Sequence, residues 1–406
     1  MPIFRTDAAR LIYERLNADV NLLKQQGPKD GLDLLVLNIS EGCNLACSYC
    51  FADRGQYGAE HARWMSDDTA FRSIDWAYTS YGNLKAIKFF GGEPLLRLST
   101  LRAASEYALK KALSLGHEAP KLVAITNATR YDSQVREWIE EHQPAITASI
   151  DGPKKLHDLF RIFPNGRGSF ESVDRNIKRM LEETGRPTAL ECVYSPSHFE
   201  QGYSMVDTHK YLVERYGISS IILHPVQAIS SDTLPHRPAT MARYRAAMYD
   251  LALEYGRYLM LAALRTDVPA HARAALTSIV SARKSADAHC GLAIHTITVK
   301  ANGDLTPCYT LIGHEQFSMG NIKNHDERKF RKVVQIFKGN LKSQNPICAN
   351  CSILKTCHSC PGDMHTTNGS IDAPVSSTCD FLTGVTEGRI LALNEIRSEP
   401  TWDRIM

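Results

Sequence analysis

Apolar and polar positions alternate along this chain in two registers. Short apolar runs fall at 32–39, 84–90, 122–126, 145–150, 188–194 and 218–224, and runs of this length bounded by turn residues predict buried strands. Between and after them, apolar residues at helical spacing predict helices near 66–78, 132–142, 171–183, 205–216 and 240–264. The first of these has Ser66 as its N-cap, with Asp67 and Asp68 in its first turn, where acidic side chains suit the helix dipole. Strand–helix alternation predicts a parallel sheet with right-handed crossovers. Six such units, rather than the eight that close a full barrel, predict an α/β fold with an open (β/α)6 barrel and a wide lateral mouth. Ahead of the first strand, Ala8, Leu11, Ile12, Leu16, Val20, Leu22 and Leu23 predict a helix over 8–24 packed against that barrel. Beyond it, 294–300 alternates like a strand, Asn302-Gly303 is a hairpin turn, and 304–310 returns.

Composition narrows the class without naming a chemistry. A chain of 406 residues, 43% hydrophobic and 22% charged, reads as a globular protein of two or three domains. The expected division is an N-terminal helical extension at 1–31, the barrel at 32–265 and a cysteine-rich domain at 266–406. A formal charge of +3 leaves no basic footprint for nucleic acid. No apolar run reaches the roughly 18 residues of a membrane span. The opening residues do not form a secretory signal, so a cytoplasmic protein is expected.

The cysteines carry the chemistry. Eleven cysteines without an export signal point to metal rather than disulfides. Cys43, Cys47 and Cys50 form CxxxCxxC on the loop leaving the first strand, seven more lie from Cys290 to Cys379, and Cys192 stands apart on a strand as a small apolar residue. The carboxyl ends of parallel strands are where open α/β sheets bind ligands. Three close thiolates suit three irons of a [4Fe-4S] cluster and leave the fourth iron open. Tetrahedral zinc would want a fourth near ligand, and the nearest candidate, His61, is eleven residues past Cys50.

This pattern resembles the radical SAM enzymes, in which CxxxCxφC holds a cluster whose open iron chelates S-adenosylmethionine. The resemblance implies reductive cleavage to a 5′-deoxyadenosyl radical that abstracts a substrate hydrogen. It places Tyr49 at the adenine, and Gly91, Gly92, Glu93 and Pro94 at the methionine amino group. The segment Ser149-Ile150-Asp151-Gly152-Pro153, followed by His157, Asp158 and Arg161, is similar to one in sulfatase-maturing enzymes. It implies that Ser149 and Arg161 hold the methionine carboxylate, and Arg161 is suited to that by its bidentate guanidinium. Asn127, at the end of the third strand, is expected among the cofactor-binding residues. The run from Cys50 to Gly58, then Met65-Ser66, resembles enzymes that install thioether links in peptides.

The later cysteines resemble a SPASM domain, which houses two auxiliary [4Fe-4S] clusters. Cys290, twelve residues, Gly303, four residues and Cys308 match its first half; Cys348, Cys351, Cys357, Cys360 and Cys379 match its second. Two residues rather than three separate Cys357 from Cys360, and a structural zinc site is the other reading of this block. The family's crossed arrangement implies Cys348, Cys351, Cys357 and Cys379 for the outer cluster. Cys290, Cys308 and Cys360 would hold the inner one, leaving one iron for a substrate thiolate, His289, Cys192 or water. Sulfatase-maturing enzymes carry a basic Asp after the second of these cysteines, where this chain has Tyr309. A packing role for Tyr309 is expected, and a base from elsewhere.

The resemblance thus implies a peptide-modifying radical SAM enzyme with S-adenosylmethionine and three [4Fe-4S] clusters. Thioether formation on a ribosomally made precursor peptide or small protein is the expected outcome. C–C or C–O crosslinking, formylglycine formation and small-molecule oxidation are the alternatives. An external one-electron reductant of flavodoxin or ferredoxin type is required. Only 42 residues precede Cys43, so a winged-helix peptide-recognition domain is not expected, and substrate capture falls to a separate recognition protein or to a groove on the barrel itself.

Overall fold

The computed structural model describes residues 3–23, 30–226, 238–265, 274–280 and 284–396. Among them the strands are β1 (Asn21–Leu23), β2 (Leu34–Glu41), β3 (Arg63–Trp64), β4 (Ala86–Gly91), β5 (Lys121–Thr126), β6 (Ala145–Ser149), β7 (Ala189–Tyr194), β8 (Ile221–Pro225), β9 (Lys284–Ala286), β10 (Thr296–Val299) and β11 (Leu305–Thr306). The main sheet runs β11-β10-β2-β4-β5-β6-β7-β8, with β3 beside β2. Every pair from β10 to β8 is parallel, and β11 returns antiparallel along β10. Its ends do not pair with each other, so the barrel stays open. The six barrel strands are the six expected. Their helices include Asp67–Tyr81, capped as expected by Ser66, which accepts from the Thr69 N–H at 3.1 Å.

Period-two alternation explains which face is which. Leu35, Leu37 and Ile39 of β2 share a core with Ile87, Phe89, Leu122, Ala124 and Ile146. Ala148, Leu190, Cys192 and Leu223 continue that outer face into a second core under Ile177 and Met248. The alternate positions Asn38, Lys88, Thr147, Ser149, Glu191 and His224 therefore lie on the inner face, interleaved with Val36, Phe90, Val123, Ile125 and Val193. Cys192, fully buried on the outer face, is removed from the other cysteines. That corrects its place among the candidate fourth ligands.

Four features differ from expectation. The hairpin joins the barrel, because Thr296–Val299 pair in parallel with residues 34–37 of β2. The first helix spans only Asp7–Leu16 and ends at Asn17, whose amide donates to the Tyr13 and Ile279 carbonyls. Its buried residues pack with Ile353, Ile390 and Leu393 rather than on the barrel wall. Among the helices not expected are the two longest of them, Leu98–Ser114 and Ser376–Ile396. The second lies against the helix Pro238–Leu264 so closely that a Cβ on Gly388 would meet the Leu253 carbonyl oxygen at 2.0 Å. Its small residues hide an interface that apolar periodicity cannot reveal. Residues 266–273, at the expected start of the last domain, lie outside the described residues.

Candidate functional site

Three strand ends build one pocket around the first cysteines. The loop carrying Cys43, Cys47 and Cys50 leaves β2, and all three thiols are partly buried. Its backbone is tied to the segment before and after Arg161: Ala46 N–H donates to the Ile162 carbonyl at 2.7 Å and Ser48 N–H to that of Phe160 at 3.3 Å. On the other side the Gly92 N–H donates to the Ser40 carbonyl at 2.6 Å, and the Glu93 N–H to that of Gly42 at 3.0 Å. A Cβ on Gly91 would meet the Ser40 oxygen at 2.1 Å, and one on Gly92 the Gly42 oxygen at 2.2 Å. These glycines therefore admit the cysteine loop's own backbone.

Glu93 and Asn127 brace this corner. Glu93 is 1% exposed. Its carboxylate accepts from the Leu95 N–H at 2.9 Å, the Thr126 hydroxyl at 2.8 Å and the Asn127 N–H at 2.7 Å. Burial lifts its pKa to about 7 against those three donors. The Asn127 amide donates to Cys43 Sγ at 3.5 Å and to Asn44 Oδ1 at 2.9 Å.

Asp151 is the hub that sequence reasoning missed, although it sat inside the quoted motif. Fully buried, it accepts from Arg161 Nε at 3.1 Å, from the Val193 N–H at 3.1 Å and from the Tyr49 hydroxyl. Burial pushes its carboxyl up, but Arg161, His157 and Tyr49 bring it below the usual carboxylate range. The Arg161 guanidinium lies 5.5 Å from the Tyr49 ring centre, so two of the expected residues meet on one aspartate. Ser149 ends β6 two residues earlier and is buried.

The C-terminal cysteines form two sets. Cys348, Cys351, Cys357 and Cys379 line one cavity together with Lys342, Ile353, Ser359 and Thr383. Lys342 is buried, and its ammonium donates to the Cys357 carbonyl at 3.0 Å. Burial pushes the Cys348 and Cys351 thiols to about 11 and Cys379 to about 12, with the neighbouring Cys357 thiolate adding to each rise. Four thiolates there call for a cationic filling, and the Lys342 charge suits the net anion that four thiolates and a cluster make. Among the described residues no three Cys, His, Asp or Glu side chains form a group that could hold a single metal ion.

Cys290 and Cys308 flank the β10–β11 hairpin and interact electrostatically with Cys360. Thr310 and the Asp363 N–H donate to Cys308 and Cys360 at 3.3 and 3.4 Å. His289, 3% exposed, pairs Nδ1 with the Ser359 hydroxyl at 2.7 Å, and its Nε2 has no hydrogen-bond partner among the described residues. Tyr309 packs against Phe90, ring centres 4.2 Å apart, and against Phe51 of the first cysteine loop at 6.1 Å. It thereby joins the two cysteine regions across the barrel mouth. The residues needed for a cluster at each place are present, and the donor chemistry fits.

Comparison with known proteins places these features in families. Residues 37–201 match the radical SAM superfamily, and residues 290–361 match the iron-sulfur cluster-binding SPASM domain. The chain is built from a radical SAM domain followed by a SPASM domain. Such domains imply S-adenosylmethionine and iron–sulfur clusters as cofactors. An uncharacterized protein of Methanocaldococcus jannaschii is 30% identical over 192 residues, 47% of this chain and 62% of that protein. The serine-type anaerobic sulfatase-maturating enzyme of Bacteroides thetaiotaomicron is 28% identical over 188 residues, 44% of each chain. The chain thus spans about half the length of the curated relatives it matches. Among solved structures, native anSMEcpe with bound AdoMet superposes with a TM-score of 0.69 at 18% identity, over 91% of this chain and 100% of that one. SuiB of Streptococcus suis bound to precursor peptide SuiA gives 0.54 at 16% identity, over 90% and 79%. These likenesses are of fold. Among the described residues no helix is long and apolar enough to cross a membrane.

Proposed function

We propose that this protein is a radical SAM/SPASM maturase that oxidises a residue of a ribosomally made peptide or small protein and crosslinks it through a C–S bond. One observation carries the reading. The hairpin leading to Cys308 extends the barrel sheet, and Tyr309 next to it packs against Phe90 and Lys88 while interacting electrostatically with Cys308, Cys360 and Cys290. An auxiliary cluster held there would adjoin any substrate bound within the barrel. In this reading Cys43, Cys47 and Cys50 hold the first cluster, and bound S-adenosylmethionine supplies the hydrogen-abstracting radical. Tyr49, the Gly91–Pro94 turn, Asn127, Ser149 and Arg161 position that cofactor, with Asp151 fixing Tyr49 and Arg161. Cys348, Cys351, Cys357 and Cys379 hold the outer auxiliary cluster; Cys290, Cys308 and Cys360 hold the inner one, with its fourth iron for the substrate thiolate.

The open barrel favours a peptide, and peptide-bound fold neighbours of both kinds exist. C–C or C–O crosslinking shares the same first step. The test is anaerobic reconstitution followed by a peptide screen. About twelve irons per chain, four for each cluster, and a peptide product lighter by two hydrogens are expected. Inner-cluster spectra that ignore an added Cys peptide would remove the thiolate role and leave His289 as the ligand to pursue.

A further inference from the structure

The outer cysteine set meets a hydrogen-bonded dyad to which the reading above gives no task. Of the two residues between Cys357 and Cys360, His358 is exposed, whereas Ser359 is 5% exposed and lines the cavity shared by Cys348, Cys351, Cys357 and Cys379. The Ser359 hydroxyl lies 3.4 Å from Cys357 Sγ and 2.7 Å from His289 Nδ1. His289 is itself buried, and its Nε2 has no hydrogen-bond partner among the described residues. Backbone pairing sets up this meeting. Ala288 bridges Leu341 in antiparallel fashion, and the Lys342 N–H donates to the Asp287 carbonyl at 2.9 Å. That strap brings two side chains to one cysteine: the His289 ring reaches the Cys357 sulfur through Ser359, and the Lys342 ammonium reaches the Cys357 carbonyl directly.

A free thiol can donate to Ser359, but a cysteine that ligates a cluster is a thiolate and only accepts. The single hydroxyl proton then points at Cys357 Sγ, and the Ser359 oxygen is left to accept from His289. Nδ1 therefore carries the ring proton. Nε2 is a bare acceptor, whose burial needs no partner as that of an N–H would. We propose that His289 and Ser359 form a chain of hydrogen bonds, Nδ1–H to Oγ and Oγ–H to Sγ, that raises the reduction potential of the outer cluster. This rests on the auxiliary-cluster reading above. Reduction from 2+ to 1+ adds negative charge that the sulfurs share, so a donor aimed at one of them stabilises the reduced form more than the oxidised. The buried Lys342 ammonium acts in the same sense. The outer cluster is thereby the electron sink of the two: the inner cluster is oxidised from 1+ to 2+ as the outer is reduced from 2+ to 1+, with no bond broken and no proton moved. His289 and Ser359 are positioning residues that act through Cys357.

The test is a redox titration of the holoenzyme at matched iron content, read by electron paramagnetic resonance, with the outer cluster's signal taken as the one that changes in Cys379→Ser. In Ser359→Ala the reduced-to-oxidised ratio of the outer cluster at a fixed potential should fall about tenfold, or about 59 mV for a one-electron couple, while the inner midpoint stays in place. Ser359→Thr keeps the hydroxyl and should match wild type. His289→Leu should lower the ratio about threefold, because the hydroxyl keeps its proton and loses the group that aims it. His289→Asn, with an amide N–H near the place of Nδ1, should recover most of that loss. An outer midpoint that is unmoved in Ser359→Ala, or moved equally in Ser359→Thr, overturns the proposal. So does a His289→Leu variant that changes only the inner signal, since His289 is then a ligand of that cluster. Either result in protein holding about twelve irons overturns the proposal alone. Wild-type protein that takes zinc at the outer cysteines overturns the auxiliary-cluster reading and the proposal together.

Discussion

The chain holds its two groups of cysteines by different means. Around Cys43, Cys47 and Cys50, protein grips protein: the loop is hydrogen-bonded on one flank to Phe160 and Ile162 and on the other to the glycine turn. Asn127 reaches the Cys43 sulfur itself. The outer set is different. Cys348 sits on a short 3-10 turn, Cys351 and Cys357 on the loop beyond it and Cys379 near the start of a helix, around a cavity with a buried lysine. The first site is shaped by backbone packing, whereas the second places buried thiols and an ammonium in a shape that a cluster would complete. Metal loss should therefore empty the first site and loosen the second.

The largest effect expected is all-or-none. Replacing Cys43, Cys47 and Cys50 together by Ala should abolish formation of 5′-deoxyadenosine while about eight of about twelve irons remain, since only one of three four-iron clusters is lost. Persisting cleavage would remove the radical SAM chemistry. Next, iron-free protein should be cut by a limiting protease within 343–360 while 30–226 survives, because metal binding is part of the folding energy where ligands lie on loops. Cleavage first in the cysteine loop at 43–50 would reverse the comparison. The smallest effect sharpens the packed side. Asp151→Asn leaves Arg161 buried without its carboxylate and should destabilise the protein by about 3–5 kcal/mol, read by chemical denaturation with clusters absent.

Much of this was legible before the fold. Cys43 to Cys50, the Gly91–Pro94 turn and the Ser149–Arg161 segment are local motifs, and each lies at or just beyond a strand end as its spacing predicted. Asp151 was in plain view, yet an aspartate in a turn carries no mark of burial; only the meeting of Tyr49, Arg161 and Val193 on its oxygens does. The contact between His224 Nε2 and Glu191 Oε1, 3.3 Å apart, was invisible for a related reason. The two residues are 33 positions apart on neighbouring strands, and period-two alternation shows that they share a face without showing that they touch.

The six barrel strands, most of their helices, the hairpin turn and the two groups of metal-ligating cysteines were written in the sequence. These are short-range properties, written in hydrophobic period, turn residues and thiol spacing. Only the tertiary structure decided that the hairpin adds to the edge of β2, that the first helix serves the C-terminal helix, and that Tyr309 bridges the two cysteine regions. Those outcomes depend on which exposed strand edge and which apolar face find each other. Backbone hydrogen bonding and burial settle that between segments hundreds of residues apart, where no local pattern reaches.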